Sequence, residues 1–246
     1  ALIDLGYDDV LNDFVLTANI SGVTTLDVSS KEISDLTGIE DFTALTSLVC
    51  SYNDLTSLDV SSNTALTHLE CHENELASLD VSNNTALTFL KCRSNNQLTS
   101  LNLINNSALT YLSANNMALT TLDVSNNTLL NMLDLGGNQL TSLDLTNNTA
   151  LTTLSCSTNQ LTSLNLSANT ALTGLQCAAN QLTSLDVSNN IALTLLSPFS
   201  NLLTSLDVSS NTALTSLWCN ANQLTSLDVS SNIALTSLYV YDNQLI

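Results

Sequence analysis

The amino-acid sequence predicts a solenoid in which short parallel strands form a sheet along one face of a stack of turns. Three observations predict it. The chain repeats every 21 residues, its apolar residues alternate with polar ones at the strand period of two, and only six Gly and one Pro supply the turns of 246 residues. A loop-rich enzyme of this length would need more of both. Three basic against 22 acidic residues give a formal net charge of −19. That excludes ordinary electrostatic binding to nucleic acid or to an anionic membrane, because the phosphate-neutralising surface is missing. With 44% hydrophobic and only 10% charged residues, the chain is not an acidic disordered tail either. No run approaches the ~18 apolar residues of a membrane span and no charged segment opens the chain, so neither a span nor a signal peptide is expected.

The first half of each turn reads L-x-x-L-x-[LC]-x-x-N-x-L, as in LTTLSCSTNQL from Leu151 to Leu161. Its second Leu recurs at Leu26, Leu48, Leu69, Leu90, Leu112, Leu133, Leu154, Leu175, Leu196, Leu217 and Leu238. This gives about eleven turns over 23–246, roughly 50 Å at the usual strand spacing of ~4.8 Å. In L-x-C the Leu and the third residue point inward and the residue between them points outward. Three residues later an Asn closes the bend, at Asn53, Asn74, Asn96, Asn138, Asn159, Asn180, Asn201, Asn222 and Asn243. The second half-unit, such as LTSLNLSANTA from Leu161, ends in another Asn column: Asn63, Asn84, Asn106, Asn127, Asn148, Asn169, Asn190, Asn211 and Asn232. Both columns are expected to satisfy backbone groups that a tight buried bend would otherwise leave orphaned.

The six cysteines, Cys50, Cys71, Cys92, Cys156, Cys177 and Cys219, all take the third, inward place. Stacked there, their Cβ atoms should lie nearly a strand spacing apart, too far and too parallel for the ~3.8 Å separation of a disulfide. A ladder of buried free thiols is expected, acting as small hydrophobes. In the second half-unit the outward place reads Asp59, Asp80, Asn102, Asp123, Asp144, Asn165, Asp186, Asp207 and Asp228. Asn keeps the carbonyl oxygen and loses the charge, so the column is read as accepting hydrogen bonds from nearby Ser, Thr or backbone groups. No cofactor is expected; weak Ca2+ binding between turns is the alternative.

These repeats, including the Cys-bearing strands, resemble bacterial leucine-rich repeats of the internalin type over essentially the whole chain. The resemblance implies a leucine-rich repeat solenoid with little helix beyond a short N-terminal helical cap, matched here by ALIDLGYDDVLNDFVLTANISG at 1–22. It also implies an exported or cell-surface protein and a protein partner. The chain ends at NQLI in mid-pattern, so a continuation is expected.

Function should lie in the outward positions that vary from turn to turn. Both His, the only Trp and two of the three basic residues fall there, and they form two patches. The first comprises Tyr52, His68, Glu70, His72, Phe89, Lys91, Arg93 and Tyr111. His68, Glu70 and His72 alternate along one strand, a spacing that can present metal ligands, but no third committed ligand is evident and no metal is expected. Glu70 and Lys91 are lateral neighbours and could pair. The second comprises Phe199, Trp218, Tyr239 and Tyr241, apolar platforms of the kind that mark binding surfaces. One extra residue between Leu90 and Leu98 predicts a bulge after Lys91 and Arg93, Pro198 in place of the inward Cys should displace Phe199 outward, and Met117 breaks the Asn column.

No Ser-His-Asp order, zinc-protease helix or phosphate-cradling Gly loop is present, so no enzyme is predicted. The leading expectation is a monomeric recognition or adhesion module. It would bind a protein or a polysaccharide on its outward strand face, with Lys91 and Arg93 meeting an anionic group. A passive spacer carrying other domains is the alternative, and ice binding by the Thr and Ser columns a minor one.

Overall fold

A computed structural model describes residues 5–7 and 15–246. Most of the proposed cap at 1–22 lies outside the described residues; its described end is a single helical turn, α1 (Thr17–Ile20), whose Ile20 is buried against the first turn. Eleven three-residue strands follow: β1 (Thr25–Asp27), β2 (Ser47–Val49), β3 (His68–Glu70), β4 (Phe89–Lys91), β5 (Tyr111–Ser113), β6 (Met132–Asp134), β7 (Thr153–Ser155), β8 (Gly174–Gln176), β9 (Leu195–Ser197), β10 (Ser216–Trp218) and β11 (Ser237–Tyr239). They form one parallel sheet in sequence order, each strand one turn from the next, and the strand Leu faces its equivalent in every pair. The remaining regular element is one 3-10 turn, Ile39–Asp41.

The core follows from the repeat. From Leu48 to Leu217 every strand Leu is completely buried, as are Leu66, Leu87, Leu109 and their equivalents on the return path. All six thiols are free and buried. Burial pushes those of Cys50, Cys92 and Cys156 up to about 12 and that of Cys219 up to about 11, so none is a thiolate near neutral pH.

Two asparagine ladders close the bends. In the first, one side chain ties two turns together: Asn74 Nδ2 donates to the carbonyls of Cys50 (3.0 Å) and Cys71 (3.1 Å), and its Oδ1 accepts from the Leu55 N–H (3.0 Å). In the second, Nδ2 of Asn84 donates to the carbonyls of Val60 and Asn63, both at 2.9 Å, and the pattern repeats down the column. The residue before each Asn of the first ladder is left-handed whatever its type, including Tyr52 (φ 56°), Glu73 (55°), Thr158 (56°) and Ala179 (50°). An L-residue there costs roughly 1–2 kcal/mol. The bend holds it by an N–H bond to the next turn, such as Tyr52 N–H to the His72 carbonyl at 3.0 Å.

The first ladder corrects the sequence reading at one turn. Asn95, not Asn96, occupies the column: it is fully buried, donates to the carbonyls of Cys71 and Cys92, and accepts from Leu76. The extra residue therefore falls after the ladder, in a turn closed by Leu98 N–H to the Asn95 carbonyl at 2.9 Å. The strand face is not bulged, and β4 and β5 keep full register through Lys91 and Ser113. The same turn explains Met117. At other turns the ladder Asn accepts the N–H of the Leu one turn back; Leu98 has already found an acceptor within its own turn. The carbonyls of Cys92 and Ala114 are taken by Asn95 and Asn138, so position 117 has no polar task and Met117 packs into the core.

Candidate functional site

The parallel register brings the variable outward side chains of neighbouring turns into contact. His68, Phe89 and Tyr111 are direct partners on β3, β4 and β5. Their rings stack nearly parallel, with centroids 4.2 Å apart at both steps and interplanar angles of 11° and 10°. Beside the stack, Glu70 gathers three cationic or potentially cationic groups. His68 Nε2–H donates to its Oε1 at 3.1 Å, Lys91 Nζ donates to Oε2 at 3.4 Å, and His72 Nδ1 lies 3.6 Å from Oε2. Burial alone would raise the Glu70 carboxyl, but the His68 hydrogen bond and the Lys91 ammonium hold it below the usual carboxylate range. One turn edge further out, Arg93 donates to Glu73 Oε1 at 2.8 Å and to the Tyr52 hydroxyl at 3.4 Å.

Two expectations change here. His72 is not a surface residue: it is 3% exposed, under the edge of the Tyr52 ring at 5.1 Å. The same place is partly or fully exposed at Arg93, Phe199 and Tyr241, so His72 is buried by its neighbours, the Tyr52 ring and the Glu70 and Arg93 side chains, and not by its column. Burial, then Lys91 and Arg93, push its imidazole down to about 4, leaving it neutral at physiological pH. Lys91 and Arg93 are not lone cations: Glu70 and Glu73 pair with them at 3.4 and 2.8 Å, so an incoming anion would share them. Among the described residues, no three His, Cys, Asp or Glu side chains converge to hold a metal.

The second patch is arranged differently. Trp218 and Tyr239 meet edge to face at 5.8 Å, and Tyr239 meets Tyr241 likewise at 6.4 Å. With half-buried Phe199 and Asn220 they line an open depression of about 240 Å³. Trp218 Nε1–H donates to the Ser237 hydroxyl at 3.3 Å, which steadies the indole and leaves much of it accessible. Pro198 stays inward and buried; lacking an N–H, it ends the β9–β10 pairing after Leu196 and Leu217.

Between the patches the sheet surface carries Ser155, Ser157 and Gly174 near its centre, with Gln176 exposed beside them and Met132 and Leu195 partly buried. Asp134 stands there on β6, half-buried, accepting the Gly136 N–H at 3.2 Å. The sequence reading missed it as a site residue, although it is the one carboxylate besides Glu70 in the strand-centre column from β2 to β11. Burial and the charges of Asp134 and Glu70 push the neighbouring Tyr111 phenol up.

The acidic column on the second half-unit behaves as expected of hydrogen-bond acceptors. Asp59, Asp123, Asp186 and Asp207 each accept the backbone N–H two residues on, at 2.9 Å, and Asn102 and Asn165 do the same at 3.1 Å. The serine hydroxyls and N–H groups hold these exposed carboxyls below the usual range.

The repeats have solved relatives. The chain is 44% identical, with a TM-score of 0.92, to a structure described as the functional domain of InlJ from Listeria monocytogenes, which includes a cysteine ladder. The match covers 94% of this chain and 51% of that one. Internalin J from Listeria monocytogenes serotype 4b is 45% identical over 51 residues, 21% of this chain and 6% of that protein. YopM, a leucine-rich effector protein from Yersinia pestis, is 30% identical with a TM-score of 0.77, over 89% of this chain and 61% of that one. The chain thus spans about half of the solved InlJ domain and a small part of the curated protein it matches. No protein-family model matches it.

Proposed function

The chain is a leucine-rich repeat solenoid of the internalin type with a cysteine ladder, and from that premise we propose that it is a non-catalytic recognition module that binds a protein ligand on its strand face. The observation that carries this is the partition of side chains. Thr, Asp, Ser and Asn recur turn after turn on the return path, whereas seven of the ten aromatic residues, both His and two of the three basic residues belong to the strand-face columns or the bends beside them. A rigid frame with one variable face is a surface whose contacts can change without disturbing the fold. The internalin likeness supports an exported or surface-held setting.

A polysaccharide ligand is the second reading, favoured by the open aromatic depression around Trp218. Ice binding has less support: the hydroxyls of Thr67, Thr88, Thr173 and Thr215 each donate to the carbonyl one turn back, at 3.0–3.2 Å, so that row is already hydrogen-bonded.

The test is a titration with a panel of purified cell-surface proteins and polysaccharides, followed through the emission of Trp218, the only Trp in the chain. A saturable protein-induced shift, lost in Tyr111→Ala but kept in Asp186→Asn on the return path, is the expected result; Trp218→Ala, which lacks the fluorophore, is followed by calorimetry and should lose binding as well. Binding unaffected by either strand-face change would remove the sheet surface from the reading, and a flat response throughout would favour a spacer.

A further inference from the structure

The two patches sit at opposite ends of one strand face, and between them Asp134 carries a charge with no basic partner among the described residues. The Phe89–Tyr111 stack ends on β5 and Trp218, which lines the aromatic depression with Phe199 of the preceding turn, stands on β10, five strand steps away, or about 24 Å at ~4.8 Å per step. Between them Ser155, Ser157 and Gly174 are small, and Gln176 is exposed on β8. Asp134 lies one step from Tyr111 and four from Trp218. Its described hydrogen bond is from the Gly136 N–H, and among the described residues no Lys, Arg or His pairs with it. Glu70 and Glu73 at the same end are already paired, and so are both strand-face cations.

We propose that this stretch of the strand face takes an extended polypeptide segment bearing one Lys or Arg, lying across the strands with its cation on Asp134 and its ends against Tyr111 and Trp218. This rests on the strand-face reading above and specifies its partner. An extended chain advances ~3.3 Å per residue, so about seven residues span it, and the cation sits about six residues from the side chain that enters the Trp218 depression. The charge argues for this occupant. A neutral glycan can hydrogen-bond to Asp134 but leaves its charge uncompensated, and an anionic one would meet a chain of net charge −19 with its strand-face cations already paired. The Gln176 amide, exposed on β8, can hydrogen-bond a passing backbone, and the flanking aromatics suit the anchors that dominate such interfaces.

The experiment is selection of random twelve-residue peptides displayed on phage against the whole chain, followed by affinity measurements on the enriched peptides and on the polysaccharide panel. The expected peptides carry a Lys or Arg about six residues from an aromatic or large aliphatic residue. Their affinity should fall about tenfold in Asp134→Asn, more in Trp218→Ala, and decrease with added salt, as for a partly desolvated ion pair. Enriched peptides that need Trp218 but are indifferent to Asp134→Asn would overturn the charge pairing and leave the recognition reading standing. Polysaccharide binding without peptide enrichment would overturn the partner and keep the face. Neither kind of binding would overturn both. Asp134→Asn keeps the side-chain oxygen that accepts the Gly136 N–H, so its melting temperature should match the parent's.

Discussion

On β3–β5 the rings of His68, Phe89 and Tyr111 lie parallel at 4.2 Å, whereas on β10 and β11 those of Trp218 and Tyr239 meet edge to face at 5.8 Å. The frame beneath is the same, so the difference comes from which column the aromatics occupy and what stands beside them. In the first region they share one column on successive turns, and the strand register stacks them like coins. Their faces are consumed by each other, and Glu70 and Glu73 pair with the neighbouring cations. In the second region Trp218 and Tyr239 are also direct partners on successive turns, but the indole is tied to the Ser237 hydroxyl and Tyr241 stands beside Tyr239, so the rings meet edge to face and a depression opens between them. A leucine-rich solenoid can thus use identical residue classes to build either a closed, self-satisfied surface or an open one.

The comparison assumes an equal frame, and the largest effect tests that. Asn74→Ala and Asn222→Ala each remove three or more buried hydrogen bonds under the two regions. Each should cost about 3 kcal/mol or more of unfolding free energy, at ~1–3 kcal/mol per orphaned group. Denaturant titration measures both; a large inequality would mean that the frames differ as well as the surfaces.

Next, Phe89→Ala breaks both ring stacks and should cost about 2 kcal/mol of stability with little effect on ligand affinity. Trp218→Ala should do the reverse, losing most of the affinity and about 1 kcal/mol of stability, as a binding anchor does. Paired thermal melts and affinity measurements separate the two, and the opposite ordering would invert the assignment of roles.

A pH scan separates the regions again. The folded pKa of His72, about 4, lies below the ordinary imidazole value of 6.5. The unfolded chain therefore binds the extra proton first as pH falls, and stability present above pH 6.5 is lost progressively down to about pH 4. The expected loss is about 2–3 kcal/mol. It should vanish in His72→Gln and leave the Trp218 region unmoved. The acidic column acts in a lower window: its depressed carboxyls stabilise the fold above the ordinary Asp value of 3.8 and cease to as pH falls through their folded values.

The smallest effect concerns the one irregular turn of the first region. Met117→Asn should cost about 1 kcal/mol, because it removes an apolar side chain from the core and finds its hydrogen bonds already made. Deleting Asn96 alone should orphan the Leu98 N–H; deleting it in the Met117→Asn background should restore the regular ladder and recover most of the loss. Additive costs would show that the two departures are unrelated.

Much of this was legible in the residues. The strand Leu column, the inward thiols, the Asn bends and the acceptor role of Asp59 and its equivalents all follow from a strict repeat, because each turn offers the same environment to the same position. The two patches were legible as departures from that repeat. What escaped was local: Asn96 and Asn95 are indistinguishable by type, and only the left-handed Ser94 and the bonds to Cys71 and Cys92 assign the ladder place. The left-handed position itself left no mark, since Tyr52, Glu73, Thr158 and Ala179 all fill it under the constraint of the bend.

The sequence by itself determined the number of turns, which columns face inward and where the bulky outward residues fall, since a period of 21 maps residue to place without further information. The tertiary structure decided what those outward residues do to one another. His72 sinks below Tyr52, Lys91 and Arg93 pair with Glu70 and Glu73, the first aromatics close into a stack, and Asp134 has no basic partner among the described residues. Those outcomes depend on contacts between side chains some 20 residues apart in sequence. Their distances and angles are set by the stacking of turns, which the composition of any single turn does not contain.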